Sequence, residues 1–305
     1  MKVGIYSITY LGVWYKGEPM TLEAFMRYAA AEGWEGVEFD TKRPHASPMD
    51  LSVDDRKALR DLAGELSLPI SAVSPNCDLS TPVPEHREAM LCYVRDCIKL
   101  TADLGSPLCK IFAAWRGVIT RDGLADYAYT REDRYPDFAD QRWGNLIASL
   151  KELAPIAEDM GVTLALQNHQ PVVNGYQDVL SVIEAVGSPA LKACIDLPNE
   201  EEKSVSADWA RQVVRDTGDL QMHSHYNGEL YRKPSGEIAL KPEMRQVAYP
   251  AYVEALVASG FDGFMNWEFC HPAIEDGKPA GRDYVHNMTR LALEYMKDLR
   301  NKATP

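Results

Sequence analysis

A glycine-rich phosphate turn, a long apolar span, a CxxC cysteine pair and a basic run are all missing from this 305-residue chain. Each gap closes off a class of function. A doubly wound open sheet usually carries a glycine-rich turn after an early strand. Here the first strand, Met1-Lys2-Val3-Gly4-Ile5-Tyr6, runs on into Thr9, Tyr10, Leu11, Gly12, Val13 and Trp14, a bulky cap for a pocket. With no apolar stretch of membrane-spanning length and no secretory leader in view, a cytoplasmic protein without membrane partners is expected. The formal net charge of −13 repels a phosphodiester backbone, which argues against nucleic acid. Cys77, Cys92, Cys97, Cys109, Cys194 and Cys270 are scattered and read as free thiols, several of them buried. No low-complexity linker divides the chain, so residues 1–305 are expected to form one domain.

What is present is alternation. Thr21 to Ala31 has helical spacing and stops at Gly33, and Gly36-Val37-Glu38-Phe39 reads as a second strand. Ser52 caps the next helix, with Asp54 and Asp55 in its first turn, and Pro69 to Val73 follows as a third strand. A long helix from Pro84 to Leu104 ends at Gly105 and yields to Leu108-Cys109-Lys110-Ile111-Phe112. The second half repeats the pattern with helices near Asp140–Met160, from Tyr176, at Asp208–Arg215, Tyr249–Ser259 and Asp283–Arg300. Eight strands, each followed by a helix, predict an α/β fold of the (β/α)8 TIM barrel type. Two connections exceed what a barrel needs, Ala113 to Tyr135 and Tyr226 to Pro242, and are expected to cover the catalytic rim.

Four strand-like runs of the second half each finish on a potential metal ligand: Leu164 to Gln167, Ala193 to Asp196, Leu220 to His223, and Phe264 to Glu268. Parallel strands joined by helices bring their C-terminal ends to one rim, so Gln167, Asp196, His223 and Glu268 are expected to converge. Mixed oxygen and imidazole ligands suit a hard or borderline divalent ion such as manganese, magnesium, cobalt or zinc, with Mn2+ the first choice.

The order and spacing of Gly33-Trp34-Glu35-Gly36-Val37-Glu38, Leu104-Gly105, Gly260-Phe261-Asp262-Gly263 and Trp267-Glu268 resemble the xylose isomerase-like superfamily, in particular its sugar phosphate isomerase/epimerase group. The resemblance implies a divalent metal held by Glu, Asp, His and Glu at the ends of the later strands, which Asp196, His223 and Glu268 match. Gln167 stands where that pattern has Glu. An amide oxygen can ligate a metal but cannot act as a base. In the epimerases two glutamates work on opposite faces of the substrate, so His169 or His225 is expected to replace the second one, imidazole being a good proton carrier near neutrality.

The chemistry this implies is proton abstraction next to the carbonyl of a keto-sugar or sugar phosphate, with Glu268 as base and a metal-stabilised enediolate. Proton return gives isomerisation or epimerisation. Protonation of a leaving oxygen instead gives β-elimination, the lyase or dehydratase alternative for a keto-sugar, keto-glycoside or cyclitol. A non-catalytic sugar-binding barrel and a multi-zinc endonuclease on the same fold are further alternatives, the latter opposed by the acidic surface and the shortage of histidines. Glu38, Trp14, Lys110, Trp115 and Arg232 are the candidate substrate contacts, with Arg116, Lys233, Trp267, Phe269 and His271 nearby in sequence. Relatives often pair through outer helices or rim loops, which implies a homodimer or tetramer.

Overall fold

Period-two alternation along eight short strands sorts their side chains into two sets. One faces a ring of helices and the other faces a barrel interior. In the computed structural model, which describes residues 1–115, 117–127 and 138–304, the strands are β1 (Lys2–Tyr6), β2 (Val37–Asp40), β3 (Ile70–Ser74), β4 (Leu108–Ile111), β5 (Thr163–Gln167), β6 (Leu191–Asp196), β7 (Gln221–Tyr226) and β8 (Phe264–Trp267). They close in the order β1-β8-β7-β6-β5-β4-β3-β2, every pair parallel. Eight α-helices accompany them among the described residues: α1 (Leu22–Glu32), α2 (Val53–Glu65), α3 (Pro84–Asp103), α4 (Ala139–Asp159), α5 (Tyr176–Val186), α6 (Ala207–Thr217), α7 (Tyr249–Ala258) and α8 (Arg282–Ala303). The expected (β/α)8 barrel is therefore observed.

Local chemistry accounts for the helix ends. Thr21 accepts the Ala24 amide at the start of α1, and Gly33 ends that helix at φ 90, a left-handed conformation that a Cβ would strain. Ser52 and Asp55 form a reciprocal capping box at α2. All six cysteines are free, four of them buried. No helix among the described residues is long and apolar enough to cross a membrane.

Inside the barrel, Ala72, Leu108, Ala165 and Cys194 form a small apolar cluster separate from the main core between sheet and helices. Two residues further along the same strands stand Ser74, Lys110, Gln167 and Asp196, all buried. One step of the pleat thus converts an apolar plug into a polar mouth, and the C-terminal ends of the strands carry the chemistry.

Both long connections contain short hairpins, Ile119–Arg121 with Leu124–Asp126 and Leu230–Arg232 with Ile238–Leu240, and a third pairs Ile274–Glu275 with Lys278–Pro279 after β8. Glu229 fastens the second hairpin to the body. Its carboxylate accepts hydrogen bonds from Lys241 Nζ at 2.5 Å and from the Tyr284 hydroxyl on α8, and faces His271 Nε2 at 3.2 Å. Burial alone would raise its pKa, but the bonds from His271, Lys241 and Tyr284 outweigh that and hold it at about 2.

Two predictions follow from this architecture. Gly4 on β1 lies opposite Asn266 on β8, and a Cβ there would sit 2.0 Å from Asn266 Oδ1. Gly4→Ala is expected to cost about 1–3 kcal/mol by overpacking, read from urea unfolding midpoints; an unchanged midpoint would refute the close approach. Because the Glu229 carboxyl is depressed on folding, its stabilisation is complete above its ordinary range and is lost as the pH falls toward 2. Glu229→Gln should therefore melt below the wild type at pH 6, with the gap narrowing steadily below pH 4 and closing as the pH passes below 2. A gap independent of pH would contradict the clamp.

Candidate active site

The mouth is organised around one carboxylate. Glu38, on β2, is fully buried inside the barrel. Its Oε2 lies 2.9 Å from His223 Nε2, 2.8 Å from His225 Nε2 and 2.8 Å from Asn266 Nδ2, while Oε1 accepts Ser74 Oγ at 2.5 Å and sits 3.5 Å from Lys110 Nζ. Burial works against its charge, but His225, Lys110 and the hydrogen bonds hold its carboxyl well below the usual range. Lys110 is buried with its Nζ over the rings of Tyr6 and Phe112, at 4.7 and 4.4 Å from their centres. Burial disfavours its charge, and Glu38 followed by Glu268 keeps it ionised.

Glu38, His223 and His225 form a buried group whose ligand atoms all lie within 4.8 Å of one another and that could hold a metal ion. Those atoms already satisfy one another. A different set lies at the rim. Asp196 is paired with His225 in strand register, and His225 with Asn266 two residues before Glu268. His225 turns Nε2 down to Glu38 and leaves Nδ1 3.6 Å from Glu268 Oε2, beyond hydrogen-bond length. Gln167 Nε2 donates to Asp196 Oδ2 at 3.3 Å, and Asn199 Nδ2 donates to the same oxygen at 3.1 Å. Three buried atoms of this ring, Gln167 Oε1, Asp196 Oδ1 and His225 Nδ1, have no hydrogen-bond partner among the described residues. Such atoms are costly unless something binds them.

The electrostatics point the same way. Burial and then the neighbouring Glu268 push the Asp196 carboxyl up to about 7, whereas His225 and Lys110 overcome burial to hold the Glu268 carboxyl down. Burial opposes charge on His225, but Glu38 raises it to about 9. Two buried carboxylates crowded in this way make a strongly negative mouth, which a cation or a shared proton would offset. The donor set of one amide oxygen, two carboxylates and one imidazole fits a divalent ion.

Sequence expectation and structure part company in several places. The His223 strand was expected to end at His223, but β7 runs on to Tyr226. The alternation places His223 and His225 on the same inner face, His223 in the layer of Cys194 and His225 in the layer of Asp196. His223 is therefore held below the rim by Glu38 and Asn266, and it is His225 that presents a nitrogen to Glu268. Glu38 and Lys110 are buried beneath the mouth and neutralise one another, so neither is a surface contact for a sugar hydroxyl. Arg232 is not among the residues lining the cavity at the mouth, and its guanidinium grips Glu294 on α8 at 2.9 and 2.6 Å. Arg116 lies outside the described residues.

Above the polar layer is a cavity of about 70 Å3 whose lining includes Trp14, Trp115, Gln167, His169 and Glu268 together with Tyr6, Asp40, Lys42, Asn76, Phe112, Tyr127 and Cys270. Tyr127 stacks on Trp14 with ring centres 5.9 Å apart and donates its hydroxyl to the Cys270 carbonyl. His169 packs its ring against Trp115 at 4.4 Å and Phe112 at 5.2 Å. Burial depresses its pKa to about 4, and its Nδ1 lies 2.7 Å from the Gln170 carbonyl. Behind the rim, Asn168 ties the two loops together, accepting the Asp196 amide at 2.8 Å and donating to Glu200 at 2.8 Å. Asn266 and Asn168 escaped sequence reasoning because neither has a charge. Their one signal was position, two residues before Glu268 and one after Gln167.

A closed parallel barrel with buried acids and imidazoles at its C-terminal mouth defines a (β/α)8 protein with an enzyme-like site. The chain belongs to the xylose isomerase-like TIM barrel family, whose profile matches residues 26–297. Fructoselysine 3-epimerase of Shigella flexneri is 25% identical over 310 residues, covering 96% of this chain and 99% of that protein. A C-glycoside deglycosidase alpha subunit of Microbacterium trichothecenolyticum is 28% identical over 209 residues, 64% of this chain and 45% of the relative. Among solved structures, a D-psicose 3-epimerase in the presence of D-fructose superposes with a TM-score of 0.72 at 16% identity, over 98% of this chain and 99% of that one.

Removing the central carboxylate would strand Lys110 as an unpaired buried charge. Glu38→Ala is expected to cost about 3–5 kcal/mol in denaturant unfolding, and adding Lys110→Met should recover much of it; equal losses in single and double variants would show that the two charges do not interact.

Proposed function

We propose that this protein is a divalent-metal-dependent sugar epimerase that exchanges a proton at a carbon next to the carbonyl of a keto-sugar. The observation that carries the reading is the ring of unpartnered rim atoms, Gln167 Oε1, Asp196 Oδ1 and His225 Nδ1, beside the Glu268 carboxylate. Gln167, Asp196, His225 and Glu268 would hold the ion, with Glu38 fixing the far nitrogen of His225 as carboxylates commonly do behind ligand histidines. When bound there, a divalent ion supplies Lewis-acid polarisation of the substrate carbonyl. The epimerases among the relatives support the reaction class.

The side chains divide the remaining work. Glu268 is ionised and lines the cavity, so it accepts the carbon-bound proton on its own face. His169 follows β5, three strands round the ring from β8, and lines the same cavity from the other side of the mouth. With Nδ1–H donated to the Gln170 carbonyl, its Nε2 is the free proton-carrying atom. Glu268 takes the proton from one face; His169 Nε2 picks up a proton from solvent and returns it to the opposite face of the same carbon, and Glu268 releases its own to solvent, which is epimerisation. Trp14, Trp115 and Tyr127 exclude water from the cavity and offer flat faces to the sugar ring.

A bond-cleaving outcome is the second reading. Gln167 cannot carry a proton, and the deglycosidase relative carries a name of that kind. Both outcomes begin with the same proton transfer to Glu268.

The test is incubation of keto-sugars in deuterated water with mass and NMR analysis. Wild type should place one deuteron next to the carbonyl and form the epimer, Glu268→Gln should lose roughly 10²–10⁴-fold in rate, and His169→Ala should keep exchange while losing inversion. Release of a fragment instead of an epimer would favour cleavage, and no exchange on any keto-sugar would overturn the proposal. Elemental analysis gives a readout independent of turnover: one divalent ion in wild type, lost in His225→Ala and Asp196→Ala and kept in His223→Gln.

A further inference from the structure

The cavity over the polar layer is too small for a whole substituted sugar. At about 70 Å3 it falls well below the few hundred Å3 usual for a site that encloses a whole ligand, and has room for the reacting carbons and little else. Immediately outside, across a partition made by Trp115, Tyr127 and His169, lies a second depression of about 530 Å3. That is the size of a ligand site. The same three side chains line both spaces, so the outer depression lies directly across them from a molecule seated in the inner cavity.

We infer that this outer depression is a subsite for a flat ring, aryl or glycosyl, carried as a substituent by the sugar that reacts in the inner cavity. The inference rests on the epimerase reading and deepens it. Beside the polar Gln170, Asn199, Glu201 and Arg245, its walls supply four flat faces: the indole of Trp115, the phenol of Tyr127, and the rings of Pro171 and Pro198. Such faces stack on aromatic or sugar rings.

Charge excludes a phosphate as the occupant. Among the described lining residues the one guanidinium, Arg245, is exposed and donates from Nη1 to the Pro198 carbonyl, and it is offset by the carboxylate of Glu201. A phosphate site concentrates cations and buries them.

The backbone on both sides of the depression is held in an unfavourable conformation. Val172 has φ 79, costly for a β-branched residue, and Glu201 has φ 52 with ψ −127, a region that suits glycine. A hydrogen bond from Gln170 Nε2 to Glu201 Oε1 at 2.6 Å joins the two loops across the depression. Strain of this kind persists where surroundings hold a surface in a particular shape. Here it lies beside the Pro171 and Pro198 walls.

The experiment compares phenyl and methyl derivatives on the full-length protein. Saturation-transfer NMR with phenyl β-D-glucoside and methyl β-D-glucoside, neither of which carries the reactive ketone, should saturate the phenyl protons most strongly and the methyl group weakly. In deuterium exchange with the corresponding 3-keto-glucosides, the phenyl compound should show a roughly tenfold lower KM with similar kcat, the size expected of one stacked ring. Arg245→Ala, which opens one wall, should shrink that preference. Equal saturation and equal KM for the two compounds would overturn the subsite while leaving the epimerase reading intact. Strong phenyl saturation without deuterium uptake by any keto-sugar would overturn the epimerase reading instead.

Discussion

The site depends on a single buried negative charge. Without Glu38 the barrel interior would hold an unneutralised Lys110, two imidazoles without a common acceptor and an Asn266 amide short of one of its acceptors. A carboxylate in that position would normally be protonated by its surroundings. It stays ionised because its neighbours on four other strands, β3, β4, β7 and β8, are cationic or hydrogen-bond donors, so the charge and the closure of the barrel support one another.

His225 transmits that arrangement to the rim. Its ring has one nitrogen in the buried network and one at the mouth, which makes it the link between an inner layer that stabilises and an outer layer with unfilled valences. The contrast between Asp196, pushed toward neutrality, and Glu268, held ionised, shows how tightly negative charge is packed there. Crowded buried acids with shifted pKa values are the kind of arrangement found where cations bind or protons move.

Much of the fold could be read from the chain because the signals were periodic and punctuated. Thr21 and Ser52 marked helix starts, Gly33 and Gly105 marked stops, and the apolar runs between them fell where the strands lie. The rim was legible as far as strand ends could be located. Asp196 and Gln167 are the last residues of their strands, but β7 carries two histidines at the spacing of one pleat. Sequence alone offers no way to choose between them when the strand's end is misjudged by three residues. Register with β6, a long-range property, is what puts His225 rather than His223 in the layer of Asp196. The position of Arg232 was hidden for a related reason: its hairpin has a partner on α8, more than sixty residues away in the chain.

The opposition of Gly4 and Asn266 has a consequence for how such sites are searched for. Asn266 reaches Glu38, Ser71 and His223 at once because the facing strand offers hydrogen where any other residue would offer carbon. Surveys of catalytic machinery look for acids, bases and nucleophiles, and would pass over a residue with no side chain. In this barrel the space left by Gly4 is as much a component of the mouth as any group that fills it, and a substitution there would reach the rim without touching a single titratable atom.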